Sequence, residues 1–196
     1  MQRSNSIVRE TSLNANGLHV GLGDLKQRKF SISACRRHSV ELNENQFILV
    51  IMFSNAETNE QISYKQDGSR FDASQLTLKF STNSLYKIII KTRPAQELLT
   101  LHIGGSELKL IPVDADFGEY STIWNTADKA PTKKGTRQDI ELILMGTGNK
   151  ILNKKMQVKF YPKSDTHANW GQKLDQITWH CEANEFGTVI VTEEQT

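Results

Sequence analysis

Cysteine is scarce: two in 196 residues, Cys35 and Cys181, with no close-spaced partner for either. That leaves no disulfide framework and no zinc cluster of the CxxC kind to read, and a reducing, cytosolic setting is expected. Long apolar runs are missing too. The longest, "FILVIMF" from Phe47 to Phe53, has seven residues, where a membrane-spanning helix needs roughly 18 or more; it reads as a buried strand. The first forty residues never gather an apolar h-region, so no secretory signal is expected. Nor is there an excess of one charge. A formal net charge of +2 is too small for a nucleic-acid-binding surface, which needs a basic domain or stripe. Nucleophile elbows of the GxSxG kind, phosphate-binding glycine loops, Rossmann fingerprints and HExxH are all absent. With them go the easily legible enzymes, and none is expected here.

What is present divides the chain in two. Residues 1–45 hold seven Lys or Arg against four Asp or Glu, and their apolar residues follow neither helical nor strand spacing. Such a segment cannot bury enough surface to offset the entropy of ordering, so a disordered extension is expected. Inside it, "RKFSI" and "RRHSV" each place a serine, Ser31 and Ser39, two residues after a basic pair. Basophilic kinases read such segments, and so does chance in a Ser- and Arg-rich tail. A mitochondrial presequence fits the Arg and Ser content but not Glu10 and Asp24.

From Gln46 to Thr196 the pattern is of short alternating runs parted by turn residues, with no long amphipathic helix. "QLTLKF" sets Leu76, Leu78 and Phe80 on one face; "SLYKIIIK" does the same with Tyr86, Ile88 and Ile90; "MQVKFY" alternates Met156, Val158 and Phe160 with polar neighbours until Pro162 stops it. Asp67-Gly68 and Gly104-Gly105 are two-residue hairpin signals. About ten strands without crossover helices predict an all-β domain, an antiparallel β-sandwich or a capped β-barrel, over 46–196.

Candidate chemistry is thin. Asp165 and His167 could both ligate a metal, but a site needs three or four convergent ligands, and neither metal nor cofactor is expected. His102 and His180 fall between core-facing neighbours and are expected to point outward. Trp170 admits two readings, a plug for the end of the core and an anchor on a binding surface, of which the plug is the expectation. The loop "PTKKGTRQ" carries Lys133, Lys134 and Arg137 within five positions: a solvated loop tip, or a cradle for an acidic peptide or phosphate.

Six blocks in order, "YKQDGSRF" (64–71), "SLYKIIIK" (84–91), "HIGG" (102–105), "PTKKGTRQ" (131–138), "QVKFY" (157–161) and "HANWG" (167–171), resemble the cannabinoid receptor-interacting proteins. The resemblance spans about 46–196; the extension has no counterpart in the usual family sequence, Ala168 stands where the family pattern has cysteine, and Met156 stands where it has tryptophan. It implies a capped antiparallel β-barrel or sandwich similar to Rho GDP-dissociation inhibitors. It also implies a monomeric, cytosolic, non-enzymatic adaptor that binds the intracellular tail of a cannabinoid-type G-protein-coupled receptor. The loop residues Lys133, Lys134 and Arg137, with Trp170, are then the partner-binding candidates. The alternative is a chaperone for a lipid group, an acyl or prenyl chain on a peptide, with Tyr86, Phe160 and Trp179 as walls of its pocket.

Overall fold

In the strand Gln46–Asn55 (β1) the side chains of Phe47, Leu49, Ile51 and Phe53 are buried, and the residues between them are only partly so. One face therefore belongs to a core, as period-2 patterning requires. The computed structural model describes residues 45–66 and 76–196. The extension with Ser31, Ser39 and Cys35, and the Asp67-Gly68 turn with Arg70 and Phe71, lie outside the described residues.

Twelve further strands follow among the described residues: Ser63–Gln66 (β2), Leu76–Ser81 (β3), Leu85–Arg93 (β4), Leu98–Ile103 (β5), Ser106–Lys109 (β6), Ile111–Asp114 (β7), Glu119–Asn125 (β8), Gln138–Gly146 (β9), Ile151–Tyr161 (β10), Gln172–Lys173 (β11), Ile177–Ala183 (β12) and Thr188–Gln195 (β13). Among the described residues the helical content is one 3-10 turn, Thr166–Asn169. The all-β class expected from the alternating runs is the one observed.

All thirteen strands join in one hydrogen-bonded network, a nearly closed, barrel-like sheet. One half runs β6, β5, β9, β10, β3, β2, β11; the other runs β7, β8, β4, β1, β12, β13. They meet where β10 pairs with β13 at Ile151 and Leu152. The pairing is antiparallel with two exceptions, β10 with β13 and β10 with β3, both parallel. Alternation within a strand says which face is buried and nothing about the neighbour's direction, so these pairs were not readable. The run "ELKLIPV" also divides in two. Its Leu110 is buried, and on either side of it β6 pairs with β5 and β7 pairs with β8, so the chain crosses between the halves at that residue.

Gly104-Gly105 closes the β5–β6 hairpin with Ile103 opposite Ser106, and both glycines have positive φ, 54° and 85°. This is the backbone a two-residue primed turn demands. The core is one cluster drawn from both halves. At its centre the ring of Phe80 lies 5.7 Å from Phe53, 5.0 Å from Tyr86, 5.1 Å from Trp124 and 6.0 Å from Phe160, with the first three edge-on. Such pairs add roughly 0.5–1.5 kcal/mol each to the effect of area burial.

Cys181 is buried in the same core, and desolvation pushes its thiol up to about 12 against the opposing pull of Lys154. It is a packing residue. Because Phe80 touches four other rings, Phe80→Ala is expected to cost about 3–5 kcal/mol of stability. Leu99→Ala, on the exposed face of β5, should stay within about 0.5 kcal/mol. Urea denaturation of the two variants checks this, and similar midpoints would contradict the assigned core.

Candidate functional site

The corner after β10 begins with a cap. Asp165 is extended, and its Oδ1 accepts from the backbone N–H of His167 at 2.9 Å, which starts the 3-10 turn. The same oxygen meets His167 Nδ1 at 2.6 Å. These bonds hold the Asp165 carboxyl below its ordinary value. Asp165 and His167 are thus a cap and its partner, and the described residues hold no group of three His, Cys, Asp or Glu side chains suited to a metal.

Trp170 is not a plug. It is 59% exposed, with the His167 ring 4.0 Å away, and the residue that turns inward here is Ala168. The reason is room. Gly171 has φ of 121° and approaches the carbonyl of Tyr64 so closely that an added Cβ would sit 2.5 Å from its oxygen. A corner pressed this tightly onto β2 can bury alanine and must turn the indole out. Lys79, from β3, locks it there by donating to the carbonyls of both His167 (3.2 Å) and Trp170.

The loop before β9 is tied down as well. Thr132 N donates to Phe160 O at 2.9 Å, Phe160 N donates to Thr132 Oγ1 at 3.0 Å, and Thr136 returns onto Lys133 O. Lys133, Lys134 and Arg137 are exposed. Arg137 Nη1 donates to Gln157 Oε1 at 3.1 Å, on the outer face of β10. Lys133 and Lys134 have no side-chain bond to that face.

Between the loop and the corner lies a cationic patch. Lys79 and Lys159 are direct cross-strand partners, as are Ser81 and Tyr161 one step further on. The Tyr161 ring has Lys159 Nζ at 5.3 Å and Lys79 Nζ at 5.5 Å from its centroid. Burial lowers the Lys79 pKa, and Lys159 and Lys65 lower it further, with Asp165 opposing. The Tyr161 hydroxyl is raised by burial and by Asp165, while Arg137 works the other way. The patch therefore runs Trp170, Lys79, Tyr161, Lys159, Arg137. Sequence reasoning named its two ends and missed the middle; the outward phase of Lys79 and Lys159 was readable, their adjacency was not.

The three residues expected to wall a lipid pocket are not brought together. Tyr86 and Phe160 belong to the packed aromatic cluster around Phe80. Trp179 instead borders a groove of about 520 Å³ where β10 parts from β13, with Leu76, Leu78, Met156 and Ile177 beside it. Across its mouth Lys154 Nζ meets Glu194 Oε2 at 3.0 Å and lies 5.8 Å from the Trp179 ring. His102 and His180 sit between buried neighbours and are themselves partly exposed, as expected.

Residues 43–196 match the family model described as CB1 cannabinoid receptor-interacting protein 1. Proteins of that name from Bos taurus, Rattus norvegicus and Homo sapiens are 36%, 35% and 35% identical over 142 residues, covering 69% of this chain and 85% of each relative. Since Trp170 is turned outward, Trp170→Ala is expected to change stability by less than about 0.5 kcal/mol. A loss of several kcal/mol on urea denaturation would restore the plug.

Proposed function

This chain belongs to the cannabinoid receptor-interacting protein family, and on that footing we propose that it binds the intracellular C-terminal tail of a cannabinoid-type G-protein-coupled receptor and modulates its signalling, as a cytoplasmic, monomeric, non-enzymatic adaptor. The observation that carries the reading is the placement of the cationic loop and the exposed Trp170 at opposite ends of one patch on a rigid sheet face. Lys133, Lys134 and Arg137 draw an acidic or hydroxyl-rich segment to the face, and Trp170 anchors it.

The two ends contribute differently. Rim charges govern encounter rate and salt dependence, and an aromatic anchor governs dissociation. Against an immobilised receptor-tail peptide, replacing all three loop cations with Ala should slow association several-fold and flatten its salt dependence, with dissociation nearly unchanged. Trp170→Ala should speed dissociation about tenfold, which is about 1.4 kcal/mol. Surface plasmon resonance at two salt concentrations reads both effects, and unchanged association by the triple variant at both would remove the loop from the site.

A second reading is favoured by the groove at Trp179: binding of an acyl or prenyl group carried by a peptide. Apolar side chains line part of it, it is large enough for a lipid chain, and the buried Trp179 Nε1 finds no acceptor among the described residues. A carbonyl at the lipid linkage would supply one. The walls are then Trp179, Met156, Leu78 and Ile177, whereas Tyr86 and Phe160 belong to the packed cluster around Phe80. Titration with a lipidated peptide and its unlipidated twin separates the readings, since a lipid-binding groove makes the lipidated form bind at least tenfold tighter. Equal affinities would sink the lipid reading.

A further inference from the structure

The patch contains an arrangement that folding alone disfavours. In the parallel register of β3 and β10, Lys79 stands directly beside Lys159, and like charges side by side on one sheet face are destabilising. Neither lysine is neutralised by a carboxylate at ion-pair distance among the described residues. Lys79 spends its donors on the carbonyls of His167 and Trp170, which fixes its position without cancelling its charge. Lys159 reaches over Tyr161, a cation–π contact that likewise leaves the charge uncancelled. Asp165, hydrogen-bonded to His167, acts on both lysines from the corner, one carboxylate against two ammonium groups.

We propose that Lys79 and Lys159, both set against the Tyr161 ring, form an anion subsite that takes the carboxylate side chains of an acidic peptide lying across β3 and β10, with the neighbouring peptide residue packed on Trp170. The proposal rests on the receptor-tail reading and deepens it: it names the chemistry recognised and adds Lys79, Lys159 and Tyr161 to the site. Charge complementarity selects the occupant. A peptide carboxylate brought between the two ammonium groups relieves their repulsion, so part of the gain on binding comes from strain that the free protein already carries. The cations are held by hydrogen bonds and ring contacts rather than left to swing in solvent, which keeps the ordering cost of binding low.

Lys159 is the residue to vary, because Lys79 also holds the corner. Trp170 is the reporter: Trp124 is 0% exposed, and because Trp179 borders the groove, the shift in tryptophan emission that persists in Trp179→Phe is the one assigned to Trp170. A synthetic receptor-tail peptide is titrated into the full chain in two forms, native and with every Asp and Glu replaced by Asn and Gln. Lys159→Glu is expected to weaken the native peptide about tenfold and the neutralised one less than about twofold, and Lys159→Arg is expected to retain binding of the native form. Equal weakening of both peptides, or of neither, would overturn the subsite. If the wild-type chain bound no receptor-tail peptide, the receptor reading would fail on its own; an unrelated Glu-rich peptide, bound by wild type and lost in Lys159→Glu, would still uphold the subsite. Lys159-dependent binding to phosphatidylserine vesicles with no binding to any acidic peptide would make the occupant a membrane and overturn the proposal.

Discussion

The parallel register between β3 and β10 is the constraint on which the rest turns. It sets Phe80 beside Phe160 on the inner face, and from there Phe80 reaches Phe53, Tyr86 and Trp124 of the opposite half. Because side chains alternate across a strand, the same register fixes what the outer face carries: Lys79 beside Lys159, then Ser81 beside Tyr161. The repulsive pair outside is the reverse side of the aromatic cluster inside. A one-residue slip would separate the lysines only by turning the phenylalanines into water, a loss of several kcal/mol against a gain of about 1. Stability of the core thus enforces a charged surface that the core itself does not need.

β10 is also the strand at which the barrel parts. One edge is paired with β9 from Ile151 to Val158; the other is shared, with β13 at its start and β3 from Gln157 onward. No described strand fills the interval, and there the groove opens onto Trp179. Lys154 falls in the inward phase set by Leu152, Met156, Val158 and Phe160, yet a bare ammonium cannot enter the core. It lies instead across Trp179 to reach Glu194. The ion pair and the groove have one cause, a wall that is polar where its strand edge has lost a neighbour.

How much of this the sequence disclosed follows from what alternation encodes. Phe47 to Phe53, Met156 to Phe160 and the Gly104-Gly105 turn were legible because facing and turn geometry are local properties. Pairing is not local. Nothing in "QLTLKF" and "MQVKFY" says that these strands lie side by side and parallel, so the lysine pair was invisible although both members were known to face outward. Trp170 misled for another reason. Large aromatics are usually buried, and that expectation held for Trp124 and Trp179; at the corner the close approach of Gly171 to Tyr64 left space for Ala168 alone. The Asp165 and His167 pair, suggestive as ligands, is explained by the capping of one short turn.

The distribution of order then argues for where recognition belongs. At the Phe80 end the interior is filled by five rings joined through Phe80, so a guest there would have to displace aromatic contacts worth several kcal/mol in total. Two places remain where a partner meets preformed structure without that loss: the groove beside Trp179 and the outer face from Trp170 to Arg137. The groove pairs Lys154 with Glu194 and sets Leu78, Met156, Ile177 and Trp179 beside them, so it offers an entering ligand apolar side chains within a partly polar lining. The outer face is the opposite case, with Lys79 and Lys159 side by side and the indole of Trp170 exposed. An apolar chain and an acidic peptide would therefore seek different sites on this domain, and a partner bearing both could engage the two together, since Gln157 lines the groove and also holds Arg137 of the outer face.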